Sequence, residues 1–248
     1  MTKIPATKRA RRTDGDATRA RILTTALDLF RRRGFDQTTM REVASAAGVS
    51  LGAAYHYFRS KEEIALAFYR EHQQRHAEVG KGALAGAKTL RERLDAVFLS
   101  ALDVRGPDRP VFAALTRTVL DTASPVSLFA TETEDIRGGS IGLMREAATC
   151  DEVSEDLREP LALALWALEL GLLLRFVLDD SPGQAATRKL MAGALDLVPP
   201  IVMLLGMPMM QPMRAQLLQV LAEGGLALPQ AGPPSATTPG EVNPRAKR

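Results

Sequence analysis

Residues 18–61 read TRARILTTALDLFRRRGFDQTTMREVASAAGVSLGAAYHYFRSK, and the punctuation of this stretch decides the fold. From Thr18 the apolar residues Ile22, Ala26, Leu29 and Phe30 recur at offsets of three and four, which places them on one helical face, and Gly34 supplies a C-terminal stop. Thr39-Met40-Arg41-Glu42 then has the pattern of a capping box, in which the Thr39 hydroxyl accepts from the Glu42 amide while the Glu42 carboxylate reaches back. This predicts a second helix from Met40 that buries Met40, Val43, Ala44 and Ala47. Gly48 ends it, Val49 plugs the corner, and Ser50 is a fresh N-cap for a third short helix that stops near Phe58. Two short helices joined by a tight glycine-containing turn make a helix-turn-helix, the geometry that lays its second helix in the major groove of DNA.

Working outward, Ser60 caps a longer helix from Lys61 to about Val79 with Ile64, Ala65 and Phe68 inward, and Gly80, Gly82 and Gly86 loosen the segment after it. Thr89-Leu90-Arg91-Glu92 repeats the capping box ahead of Leu94, Val97, Phe98 and Ala101 at helical spacing, and another helix starts after Pro107. Ser124-Pro125 and Ser181-Pro182 read as N-caps with proline at the first helical position, and Pro199-Pro200 is expected to kink or end the last of these helices. Strand-like alternation is absent. The fold class is all-α: a helix-turn-helix domain over residues 16–60 and a larger helical domain over 61–224, between a basic disordered arm (1–15) and a Pro/Gly-rich disordered tail (225–248).

The totals narrow the function. The 248-residue chain is 46% hydrophobic, enough for a substantial core, and its single cysteine, Cys150, rules out an internal disulfide and fits a reducing cytoplasm. No apolar segment adjoins the basic N-terminus, so no export signal is read. The apolar run Leu161 to Val177 carries Glu169 and Arg175 and falls short of the roughly 20 residues that span a bilayer, which points to a buried or interface helix. Net charge is only +3, but Lys3, Lys8, Arg9, Arg11, Arg12, Arg19, Arg21, Arg31, Arg32 and Arg33 crowd the first segment, so a negative partner is expected near that end. Phosphate-binding glycine loops and nucleophile-elbow motifs are missing, which argues against an enzyme. His72 and His76 have the spacing of a helical metal pair, yet further ligands are wanting, so they read as solvated histidines with no metal or cofactor implied. Cys150 reads as an inert thiol, and Tyr57 and Phe58 as closing the small core beneath the helix-turn-helix.

The same stretch closely resembles the DNA-binding region of the TetR (tetracycline-repressor-like) family. Ile22, Ala26, Leu29, Phe30, Gly34-Phe35, Thr38 to Ala44, Ala47 to Ser50, Gly52, Tyr55 to Phe58 and Lys61 carry the resemblance, with Ala54 standing where the family usually has a larger aliphatic residue. The resemblance implies a cytoplasmic homodimer that binds a palindromic double-stranded operator and is released from it by a small hydrophobic or weakly polar molecule. It implies phosphate contacts by Thr39, Tyr55 and Lys61, a cap at Ser50, and base-edge contacts by Arg41, Leu51, Gly52, Ala53 and His56. It also implies an effector cavity, for which Phe98, Leu102, Phe112, Leu115, Thr116, Phe129, Met144 and Trp166 are the candidates, and a four-helix dimer interface built from the Leu161 to Val177 run and the helix from Pro182.

Overall fold

The computed structural model describes residues 6–223, with side chains for 14–221 and 223. Ten α-helices lie among the described residues: α1 (Ala6–Arg33), α2 (Met40–Ala46), α3 (Leu51–Tyr57), α4 (Lys61–Leu84), α5 (Leu90–Arg105), α6 (Arg109–Leu120), α7 (Glu134–Ala148), α8 (Glu155–Val177), α9 (Ala185–Gly206) and α10 (Gln211–Glu223). The tail assigned to residues 225–248 lies outside the described residues.

Four of the caps read from sequence are in place. Thr39 and Glu42 exchange both bonds of a capping box at α2, Thr89 and Glu92 do the same at α5, and Ser50 and Ser60 accept from the third residues of α3 and α4. Gly48 sits at φ +66, and the Val49 amide closes onto the Ala44 carbonyl, so the α2–α3 turn needs a residue without a Cβ penalty.

Four expectations are corrected. The arm is helical from Ala6, because Ala, Lys and Arg are strong helix formers and their like charges did not prevent α1 from extending toward the N-terminus. The α4 helix continues through Gly80 to Leu84; a Cβ on Gly80 would come within 3.1 Å of Leu143, so this glycine permits close approach of α4 and α7 rather than ending a helix. Ser124-Pro125 starts no helix: the Ser124 hydroxyl accepts from the Val126 amide two residues on, a local turn with the same sequence signature as a cap. Pro199 and Pro200 lie inside α9 and do not end it; Leu195 and Val202, buried on either side, and the Arg91–Asp196 bond (2.8 Å) hold the helix against its neighbours.

Two hydrophobic cores organise the helices. The first joins Ile22, Ala26, Phe30, Val43, Ala54, Phe58 and Phe68 with Val111, Phe112 and Leu115 of α6, so the boundary drawn at residue 60 is not a packing boundary. The second collects Leu90, Leu94, Phe98, Leu102, Met144, Leu165 and Leu195 from α5, α7, α8 and α9. Both α8 and the segment Pro182–Gly206 are long and apolar enough to cross a membrane, but α8 packs along α7 in the second core.

The α8–α9 corner is held by buried Asp179. Its Oδ1 accepts from the Ser181 amide (3.0 Å) and hydroxyl (2.7 Å), and its Oδ2 from the Thr187 amide (2.7 Å) and hydroxyl (2.6 Å). The Ser181 and Thr187 bonds hold the carboxyl far below the usual carboxylate range. A depressed native pKa adds stability above the unfolded value of about 3.9 and loses it as pH falls through that value toward the native one. Asp179→Asn is therefore expected to lower the melting temperature at pH 7, with the gap to wild type narrowing below about pH 4; a gap of constant size down to pH 2 would contradict this.

Candidate nucleic-acid interface and effector cavity

The first core leaves one face of the helix-turn-helix uncovered. Thr39, Arg41, Ser50, Leu51, Gly52, Tyr55 and His56 are exposed, and Ala53 is half-buried beside them. Ala54 is fully buried, so a small residue at that position packs without leaving α3 loose. Phe58 is buried and carries the Arg19 guanidinium 4.8 Å from its ring centre; Tyr57 is half-buried against the same core. Among the described residues the short α3 thus presents an exposed outer side, while its inner side is fixed by packing.

Not every basic group near this face is free. Lys61 donates to the Phe35 (2.9 Å) and Asp36 (3.3 Å) carbonyls and lies over the Phe35 ring, so it first ties α4 to the turn after α1. Arg31 and Arg32 pair with Asp28, and Arg33 with Glu42. The Thr39 bonds, with help from Arg33, keep the Glu42 carboxyl below its ordinary range.

A cavity of about 310 Å³ lies between α4, α6, α7 and α8. Of the eight residues named for an effector cavity, Phe112, Thr116 and Trp166 line it. Phe98, Leu102 and Met144 do not: they are interior to the second core, and Leu115 to the first. Phe129 is 66% exposed and meets Trp166 edge-on from outside the lining. Large apolar residues on the right helices are more often consumed by packing than left facing a void.

The polar lining was the part missed: Tyr69, His72, Gln73, Arg105, Ser140 and Glu169. His72 and His76, read as solvated, are 8% and 0% exposed. They continue the stripe Ile64, Phe68, His72, His76, whose four-residue spacing was the available signal for an inward face. His72 Nε2 lies 3.1 Å from Asp108 and His76 Nε2 lies 3.1 Å from the Val97 carbonyl. Burial pushes both imidazoles below their ordinary range, against the pull of Asp108 on His72 and of Glu169 on His76. Arg105 Nη1 donates to Glu169 (2.7 Å) in a buried ion pair. Burial likewise pushes the Tyr69 phenol up. Among the described residues no group of three His, Cys, Asp or Glu side chains is placed to hold a metal.

Residues 22–68 match the family model of the bacterial regulatory proteins of the tetR family. This segment is a TetR-family DNA-binding region. Over 63 residues the chain is 40% identical to the HTH-type transcriptional repressor Rv1474c of Mycobacterium tuberculosis, a match covering 25% of this chain and 34% of that one. Over 89 residues it is 36% identical to the HTH-type transcriptional repressor KstR2 of Rhodococcus jostii, covering 34% and 43%. These matches span less than half the length of the curated relatives. Beyond them the likeness is one of fold: a putative TetR-family transcriptional regulator from Syntrophomonas wolfei superposes with a TM-score of 0.64 at 17% identity, covering 74% of this chain and 95% of that one. The fatty acid degradation regulator FadR from Bacillus halodurans does so with a TM-score of 0.58 at 17% identity, covering 72% and 94%.

Proposed function

We propose that this chain is a cytoplasmic, ligand-responsive repressor of the TetR family that binds a palindromic operator as a homodimer. The observation that carries the reading is the capped α3, fixed by its core on one side and bare on the other, with Gly52 and Ala53 small enough for close approach to base edges. On this reading Thr39, Tyr55 and Lys61 contact phosphate, and Arg41, Leu51, Gly52, Ala53 and His56 face the groove. Lys61 keeps one of its three donors for that purpose.

Dimerisation is supported by an apolar stripe. Leu190, Leu197, Ile201 and Leu204 on α9 recur at offsets of seven, four and three and are exposed, as are Leu174 and Leu178 at the end of α8. Paired with their copies they form a four-helix interface that sets the two α3 helices about 34–36 Å apart, one turn of B-DNA.

The cavity takes the effector, and one carboxylate supports its coupling to the reading head. Asp108 Oδ2 meets the cavity residue His72, while its Oδ1 lies 3.7 Å from Arg31 of α1. A ligand that shifts His72 changes what holds α1, and it acts on DNA only as far as it prefers the non-binding state.

Selection from random duplexes at near-physiological salt tests the reading: a palindrome is expected, and recovery of salt-sensitive, sequence-independent binding alone would overturn it. Titration of the selected duplex with compounds that change Trp166 fluorescence measures the coupling. A mutual effect of about 5- to 150-fold is expected, shrinking in Asp108→Ala. Ligand and DNA binding without mutual effect would remove the coupling while leaving the DNA reading intact.

A further inference from the structure

Most polar groups on the cavity wall are already matched. Arg105 and Glu169 cancel each other in their buried pair (2.7 Å). His72 is kept neutral by burial, and its Nε2 meets Asp108 (3.1 Å). Ser140 donates to Gln73 Oε1 (2.7 Å), Thr116 to the Phe112 carbonyl (2.9 Å) and Thr133 to the Ser127 carbonyl (2.7 Å). The unpartnered His72 Nδ1 and Gln73 Nε2 are sealed in the packing, the latter against Gly139 of α7, so neither serves an occupant.

Two lining groups remain uncommitted, and both are donors. The Tyr69 hydroxyl has no protein partner among the described residues, and burial of the phenol keeps its proton in place. Arg137, half-buried on α7, is the wall's one uncompensated charge among those residues. Its Nη1 donates to the Leu128 carbonyl (2.9 Å), and no described carboxylate lies within ion-pair distance. That bond anchors the guanidinium to the α6–α7 connection and leaves its Nε–Nη2 edge without a protein partner. Unlike the two sealed atoms, neither nitrogen of this edge is cut off from solvent. Such an edge takes a carboxylate through two parallel hydrogen bonds. On an open surface water would serve it at little cost. Here the surrounding wall is built of Phe112, Val119, Ile136, Leu173 and Val177, where water is scarce and a charge-assisted bond is about twice as strong as a neutral one.

We propose that the cavity takes an apolar molecule bearing one carboxylate, which pairs with the Nε–Nη2 edge of Arg137 while the apolar part lies along Phe112, Leu173 and Val177. This rests on the effector-cavity reading and narrows the hydrophobic or weakly polar effector that the family resemblance implies to an amphipathic anion. Arg137 alone makes the charge contact, so no ligand group has to bridge separate wall residues. The Arg105–Glu169 pair stays intact, and the neutral Tyr69 phenol sets no charge against the anion.

The test uses the full chain at pH 7 with Trp166, which lines the same cavity, as fluorescence reporter and three probes of one chain length: octanoate, 1-octanol and octylammonium. Octanoate is expected to bind about tenfold more tightly than 1-octanol, and octylammonium most weakly. Arg137→Gln, whose amide still donates to a carbonyl, is expected to weaken octanoate about tenfold while leaving 1-octanol within about twofold. Arg137→Lys keeps the charge without the fork and should retain part of the preference. The steady 1-octanol affinity is the readout that a merely structural arginine would not give, because a distorted cavity weakens both probes. The wild-type ranking stands as a test whatever the stability of the variants. 1-Octanol binding as tightly as octanoate would overturn the carboxylate proposal with the effector cavity intact. A preference for octanoate that survives Arg137→Gln would overturn it too, placing the anion elsewhere. Absence of binding by all three probes, in fluorescence and in calorimetry, would remove the effector-cavity reading and the carboxylate proposal together.

Discussion

Replacing Gly52 with glutamate is expected to cost about a hundredfold or more in affinity for the selected duplex while leaving the protein at least as stable as wild type. The two halves of this expectation have separate physical causes. Gly52 is the second residue of α3, it is exposed, and a Cβ built there meets no atom within 4 Å, so the fold has room for a side chain. Glycine inside a helix is worse than an ordinary residue by about 0.5–1 kcal/mol, and an acidic group in a first turn interacts favourably with the helix dipole. Both effects favour the variant. On DNA, the same carboxylate enters the closest approach between α3 and the groove, where it excludes the duplex sterically and meets phosphate charge without a counterion to release. Gly52→Ala is the graded control, adding a methyl group and no charge, and its loss should be much smaller. Anisotropy titrations and thermal melts of the two variants check both halves. Undiminished binding by Gly52→Glu would mean that this face of α3 does not meet DNA.

The contrast between that prediction and the cavity shows what the sequence exposes and what it conceals. Caps and turns are local: the Thr39–Glu42 and Thr89–Glu92 boxes, Ser50 and the left-handed Gly48 each act within a few residues, so their residue types announce them. Where local chemistry has two outcomes, reading it fails. A serine before proline caps a helix or closes a turn, and Ser124 does the second; a dense basic run is a solvated arm or a helix, and from Ala6 onward it is a helix. Proline inside α9 is a third case, because tertiary packing of Leu195 and Val202 decides it.

The cavity is non-local altogether. Arg105 and Glu169 meet across 64 residues of chain, and Ser140 meets Gln73 across 67. No spacing rule links such pairs, and of the eight cavity candidates, chosen as large groups on helices expected to surround it, four were spent on packing. A weaker signal was available in each case as a break in a pattern. Glu169 interrupts the apolar run from Leu161 to Leu174, Arg105 extends the buried face of Val97 and Ala101, and His72 and His76 extend that of Ile64 and Phe68. A polar residue occupying a position the apolar period reserves for the core is either an error of register or a partnered group, and here all four are buried.

The Arg105–Glu169 pair makes the largest stability prediction. Glu169 is 5% exposed, and the Arg105 guanidinium on it has been taken out of water at a cost of several kcal/mol that the carboxylate offsets. Glu169→Ala removes the compensation and leaves the cation behind. Breaking a buried pair in this way costs about 3–5 kcal/mol, and at about 2–4 °C per kcal/mol for a chain of this size the melting temperature should fall by about 6 to 20 °C. His76 does not rescue it, since Nδ1 lies 3.6 Å from the same carboxylate oxygen and burial keeps the ring neutral. The decisive comparison is the double variant Arg105→Met/Glu169→Met, which removes both charges and fills the space with apolar atoms. If the single loss comes from the stranded cation, the double variant recovers most of the lost stability, because a buried ion pair contributes little net stability relative to packed hydrocarbon. A double variant as unstable as Glu169→Ala would instead locate the pair's value in its shape and hydrogen bonds.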